Sequence, residues 1–210
     1  MPNEFDIKPR NAMESIMLAL LNKPAKPSPY DFYSSHRSAS VLGDYERRSE
    51  FTHTYSWSIP TEKALATIAR YAPIVEIGAG TGLWAAMLQA RGVDIVVYDA
   101  HPPRLGSEEN AWHRNVKMFT HIDVGGPEKA EMYPNRSLML SWPPYDEPMA
   151  SDCLTYYQGR HVIYIGEGSG GCTGDERFHD TLYDEFEEIE DVRLPQWNGI
   201  HDYLSVWRRK

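Results

Sequence analysis

The residues with the clearest chemical spacing lie between positions 75 and 99. Val75-Glu-Ile-Gly-Ala-Gly-Thr-Gly82 places glycines at 78, 80 and 82 directly after an apolar run and before a helical pattern. Glycines at such a junction let the backbone pass close beneath a ligand and leave the first helix N–H groups free. The spacing is G-x-G-x-G. A dinucleotide fingerprint needs G-x-G-x-x-G, and Leu83 stands where its third glycine belongs, which argues against a nicotinamide oxidoreductase. A phosphate-cradling loop is excluded too, because no Gly-Lys-Ser/Thr follows. Asp99 ends the next apolar run, 21 residues after Gly78, where a carboxylate can accept both hydroxyls of a ribose. Glu76, just before the glycines, is placed to meet a cationic amino group. These residues ask for a ligand with a ribose and a cationic end and without phosphate.

S-adenosylmethionine has those parts. Glu76-Ile-Gly78-Ala-Gly80-Thr-Gly82, the later Asp99 and Ser141-Trp-Pro-Pro-Tyr145 together resemble the ordered motifs of the class I S-adenosylmethionine-dependent methyltransferases. The resemblance spans roughly residues 57 to 208 in element order, with motif weight only on the glycine loop, Asp99 and the Pro-Pro-Tyr. It implies a Rossmann-like, doubly wound and mostly parallel α/β sheet with an antiparallel last strand. It implies S-adenosyl-L-methionine as cofactor, held by Glu76, Gly78, Ala79, Gly80, Gly82, Asp99, Ala100 and Ser141. It also implies Ser141, Trp142, Pro143, Pro144 and Tyr145, with Glu167, on the acceptor side.

Paired prolines cannot continue a sheet, since each lacks the N–H that the ladder needs, so the strand must stop at Trp142. In the amino-group branch of that family, Asp, Asn or Ser precedes Pro-Pro-Tyr, and its oxygen together with a proline carbonyl draws the acceptor's N–H bonds out of conjugation. Here Trp142 takes that place and Ser141 stands one residue earlier; an indole N–H donates and cannot accept. A planar or aromatic acceptor, nucleobase or small molecule, remains the expectation, with nitrogen as the acceptor atom. A catalytically silent module that keeps the cofactor pocket is the alternative. Methyl transfer from a sulfonium needs an in-line nucleophile about 3 Å from the methyl and a dry site, rather than a dedicated acid or base.

Other polar residues each have two readings. Glu167, opening the glycine-rich loop 167–174, is a general base or a partner for loop amides. Cys172 is a nucleophile without a partnered base, or a loop thiol. Asp146 and Glu147 orient an amine, or favour a helix dipole. His201-Asp202 reads as a turn before the last strand. Tyr55 and Trp57 close over the donor, or belong to the core.

The elements that must position these groups follow from periodicity. We expect helices at 11–22, 61–71, 83–91, around 147–158 and at 175–190. The last carries Phe178, Leu182, Phe186 and Ile189 on one face, with Thr173-x-x-Glu176 as its capping box. Strands are expected at 74–77, 94–99, 112–123, 137–142, 161–166, 192–194 and 203–209. Pro24, Pro27 and Pro29 make residues 23–50 an irregular, mobile or lid-like stretch. The division is then an N-terminal segment, 1–54, and an S-adenosylmethionine-binding α/β domain, 55–210.

Composition limits the partners. With 21 basic and 30 acidic residues the formal net charge is -9, which disfavours a broad electrostatic grip on nucleic acid. Two cysteines without C-x-x-C spacing predict free thiols, and the scattered histidines predict no metal site. The apolar stretch Ile16–Leu21 is far too short to span a membrane, so a cytoplasmic protein is expected.

Overall fold

The computed structural model describes residues 41–210. The expected helix at 11–22 and the proline-rich stretch up to residue 40 lie outside the described residues. Helix α1 (Val41–Thr54) leads to α2 (Glu62–Ala69), β1 (Ile74–Ile77), α3 (Leu83–Gln89), β2 (Ile95–Asp99) and β3 (Asp123–Val124). A 3-10 turn (Pro127–Met132), β4 (Ser137–Ser141), α4 (Met149–Tyr156) and β5 (His161–Gly166) follow, then α5 (Glu176–Glu185), β6 (Phe186–Arg193) and β7 (Tyr203–Arg209).

The seven strands form one sheet in the order β3-β2-β1-β4-β5-β7-β6. All pairings are parallel up to β5, and β7 runs antiparallel to both β5 and β6. The chain winds outward from β1 in one direction to β3, then returns to β1's other side with β4. That reversal opens a crevice at the carboxyl ends of β1 and β4, where ligands of open α/β sheets sit.

Apolar alternation along the strands builds two layers. Ile74, Met139, Ile163, Ile165, Leu204 and Val206 face one side, with residues of α1, α2 and α3. Val75, Leu138, Leu140, Val162, Tyr164 and Trp207 face the other, with α4 and α5. Strands buried on both faces are what a parallel sheet covered by crossover helices requires. Helix α1 joins the first layer through Phe51, 0% exposed, against Tyr55 and Trp197. The stretch expected to be irregular as far as residue 50 is therefore corrected from residue 41 onward: it is helical and packs on the sheet domain.

Two expected elements are corrected. Residues 112–122 form no strand: Asn110 organises a loop there, its Oδ1 accepting from Trp112 N (3.0 Å) and His113 N (2.8 Å), and only Asp123–Val124 pair with β2. The helix expected to reach 190 stops at Glu185, because the next residues pair with β7. Ile189 is the extra residue of a bulge between Glu188 and Glu190. The bulge reverses the alternation, so that Phe186 faces one core layer and Val192 the other. Nor is there a capping box: Asp175 is the N-cap of α5, and Thr173 Oγ1 accepts from Glu167 N at 2.8 Å.

Candidate functional site

Between β1 and α3 the backbone turns through Gly78, Gly80 and Gly82, with φ of 74°, 55° and 73°. Gly78 N and Ala79 N both donate to Tyr98 O (2.9 and 3.1 Å), which ties the loop to β2. At Gly78 a Cβ would lie 2.4 Å from Met149 Cε, and at Gly80 it would lie 2.8 Å from His113 Nε2. Left-handed backbone favours glycine at both positions, and at Gly80 the ring of the buried His113 leaves little room for a Cβ, whereas the Met149 methyl at Gly78 can move aside.

Asp99, at the end of β2, accepts from Gly80 N with Oδ2 and from His101 N with Oδ1, each at 2.9 Å. Burial raises its pKa, and the two backbone N–H groups oppose that rise. Each carboxylate oxygen keeps a further lone pair for a ligand hydroxyl.

A cavity of about 770 Å³ runs over this loop. Gly78, Ala79, Gly80, Asp99 and Ala100 line one part, and Ser141, Trp142, Pro143, Pro144 and Tyr145 another. Sequence motifs 42 residues or more apart from Asp99 to Ser141 are thus brought to one crevice by the ends of β1, β2 and β4.

Three expected site residues do not line it. Gly82 caps α3 and packs by Thr120 and Ile122. Glu76 points into the layer beneath the loop, 1% exposed, with Oε2 lacking a hydrogen-bond partner. Burial, with a smaller contribution from the nearby Asp99 charge, pushes its pKa up to about 8. Glu167 clamps its own loop: Oε2 accepts from Cys172 N (2.8 Å) and Cys172 Sγ (2.9 Å), and Oε1 from His201 N (2.6 Å). These bonds outweigh burial and lower its pKa, so the geometry gives it the loop-amide reading.

The Ser141–Tyr145 turn is held from several sides. Trp142 N donates to Ile165 O at 2.7 Å, and the residue sits at φ 52°. Its indole Nε1 donates to Asp202 Oδ2 at 3.1 Å, and its ring stacks on Trp57 with centroids 5.7 Å apart and planes 28° apart. Burial pushes Asp202 up to about 6, against the Trp142 bond. Pro143 O already accepts from Gly174 N (3.0 Å), and Asp146 N donates to Gly174 O (3.1 Å). The proline carbonyl expected to face an acceptor amine therefore braces the neighbouring loop with one of its lone pairs.

Trp57 lines the cavity, whereas Tyr55 belongs to the core against Phe51 and Phe119. Glu147 and Cys172 also line it, and Asp146 does not. Burial and the Glu167 carboxylate raise the Cys172 thiol to about 11, which makes it a poor nucleophile at neutral pH.

Sequence reasoning missed Arg48, Trp112 and His113, all of which line the cavity. Trp112 and His113 fall in the stretch expected to be a strand, and Arg48 in the stretch expected to be irregular, so neither reading pointed them at the site. His113 is 4% exposed, and burial lowers its pKa to about 4, so a neutral imidazole lies over Gly80. Among the described residues no group of three or more His, Cys, Asp or Glu could hold a metal ion, and no helix is long and apolar enough to cross a membrane.

No family model and no curated protein matches the sequence. Solved structures do. The 1,6-didemethyltoxoflavin-N1-methyltransferase of Burkholderia thailandensis is 13% identical, with 90% of this chain and 93% of that one covered and a TM-score of 0.48. Magnesium protoporphyrin IX methyltransferase of Synechocystis PCC 6803 is 12% identical, over 96% and 95% of the two chains, with a TM-score of 0.44. The PH0226 protein of Pyrococcus horikoshii OT3 is 11% identical, over 79% and 99%, with a TM-score of 0.45. At such identities the likeness is one of chain path, and the strand order of this chain carries the fold by itself. A sheet ordered 3-2-1-4-5-7-6, parallel except for its reversed seventh strand and entered through a glycine-rich first crossover, is a Rossmann-like, mostly parallel α/β fold.

Proposed function

We propose that this protein is an S-adenosylmethionine-dependent methyltransferase that acts at nitrogen of a planar acceptor, a nucleobase or a small molecule. One observation carries the reading: a single cavity joins the glycine loop and Asp99 to the rigid Ser141–Tyr145 turn at the sheet's switch point. The residues fit the cofactor. Gly78 and Gly80 give the close backbone approach, Asp99 and Ala100 stand where the ribose hydroxyls are accepted, and Ser141 borders the path to the acceptor.

Bound there, the cofactor supplies a methyl group on a positively charged sulfur. The chain's own residues orient the acceptor and exclude water. Trp57, Trp112 and Trp142 offer flat apolar surface for stacking, and Pro143 and Pro144 fix the wall beside it. Glu76, neutral around pH 7 and off the cavity wall, contributes no ion pair to this binding.

Calorimetry with S-adenosylhomocysteine tests the cofactor half. Wild type binds, and Asp99→Ala binds ten- to a hundredfold more weakly, as expected for the loss of about 1.5–3 kcal/mol of hydrogen bonds to a charged group. Equal affinity of the two proteins would sink the assignment. Transfer of a labelled methyl group to pooled nucleobases, nucleic acids or small amines tests the other half.

A second reading, a cofactor-binding module without turnover, is favoured by one observation. The Trp142 indole N–H and the Pro143 carbonyl, at the position of the amino-activating groups, are engaged with Asp202 and Gly174. Cofactor binding with no labelled product from any pool decides for it.

A further inference from the structure

We propose that the indole wall formed by Trp57 and Trp142 is a recognition site for a planar cation, a guanidinium, an amidinium or a protonated nitrogen heterocycle, and that the Arg48 side chain fills it in this structure. The guanidinium carbon of Arg48 stands 5.1 Å from the centroid of Trp57 and 5.1 Å from that of Trp142. Trp112 closes the arrangement edge-on to Trp57, with centroids 5.7 Å apart, and all four residues line the cavity. Aromatic faces carry the negative part of the ring quadrupole, and indole is the strongest of them, so this wall selects positive charge and flat shape together. Glu147, an exposed carboxylate on the same cavity, and the buried Asp202 beneath Trp142 work in the same direction. A planar anion would meet both with the wrong sign.

Trp142 packs in part against the core and in part lines the cavity, and its backbone is held in an enforced conformation. A tryptophan at φ 52° is held in the left-handed backbone region that non-glycine residues rarely adopt. The bonds from Trp142 N to Ile165 O and from Nε1 to Asp202, together with the Trp57 stack, hold it there. Such enforced conformations gather at ligand clamps. Helix α1 has an apolar anchor that does not involve Arg48: Phe51, in the same helix, is buried in the core against Tyr55 and Trp197.

That this wall is the acceptor's side of the cavity rests on the cofactor reading above; its preference for a planar cation does not. Methylguanidinium chloride is titrated into wild type and Arg48→Ala, at ionic strength matched with sodium chloride, with tryptophan fluorescence and calorimetry as readouts. Urea serves as the neutral planar control. Arg48→Ala should bind methylguanidinium at least tenfold more tightly than wild type, in which the side chain must first be displaced, and should not bind urea. Adding Trp57→Leu to Arg48→Ala should lower the affinity at least tenfold. If Arg48→Ala does not fold, Arg48→Gln takes its place with the same expectations. Methylguanidinium binding no tighter to the variant than to wild type, or urea binding equally well, overturns the proposal. S-adenosylhomocysteine titrated into the same samples separates the two ideas. Its binding without methylguanidinium removes the cation site and leaves the cofactor assignment standing, and the opposite result does the reverse.

Discussion

Replacing Glu76 by Gln should stabilise the protein, and by an amount that grows with pH. The carboxyl lies 1% exposed beneath the glycine loop, and burial moves its pKa from 4.5 to about 8. Between those values the folded chain keeps a proton that the unfolded chain has released. Stability is therefore fully present below pH 4.5, falls as pH rises through the window, and levels off above 8, at about 1.4 kcal/mol per unit. Compared with a neutral side chain of the same shape, the glutamate costs under ~1 kcal/mol at pH 5, ~3 kcal/mol at pH 7 and ~5 kcal/mol at pH 9. Glutamine resembles the protonated carboxyl in shape and does not titrate. Urea unfolding of the two proteins at pH 5, 7 and 9 reads the gap directly, because groups common to both cancel in the difference. A gap equal at pH 5 and pH 9 would refute the reasoning, since it would mean that Glu76 ionises alike in the folded and unfolded chains.

Other perturbations probe the loop, the helix and the wall. Gly80→Ala places a Cβ 2.8 Å from His113 Nε2 on backbone at φ 55°, and should cost about 1–3 kcal/mol of stability and abolish S-adenosylhomocysteine binding; retained affinity in calorimetry would count against the loop as the binding element. Phe51→Ala should cost about 3–5 kcal/mol in urea unfolding if α1 is part of the same cooperative unit, whereas a change near zero would show that the helix opens independently. Asp202 titrates near 6, so tryptophan emission should change with pH around that value as the Trp142 partner loses its charge on acidification. Asp202→Asn should remove that inflection, and an unchanged profile would separate Asp202 from the wall.

Much of this molecule is legible along the chain. The glycine spacing, the acid ending the second strand and the paired prolines are local features, each forced by backbone geometry at one point. β1, β5 and β7 fall at their expected residues, because apolar runs bounded by turns leave few alternatives. Where local preference and long-range pairing disagree, the sequence misleads. Phe186-Glu-Glu-Ile189 has helical spacing and good helix formers, yet β7 pairs with it in strand form and a bulge at Ile189 reconciles its two faces. The loop through Trp112 and His113 is shaped by Asn110 bonds to backbone N–H groups, which periodicity cannot register.

What the sequence by itself determined is where the first crossover must turn through glycine and which carboxylate ends the second strand, because glycine tolerance and carboxylate chemistry are properties of single residues. Only the tertiary structure decided which side chains share the cavity. It set Glu76 beneath the loop, turned Glu167 onto its own loop amides, and brought Arg48, Trp57 and Trp142 together from segments 94 residues apart at the extremes. Such meetings depend on strand order and on how each side chain's burial is balanced by its partners, and neither quantity exists until the sheet has closed over its helices.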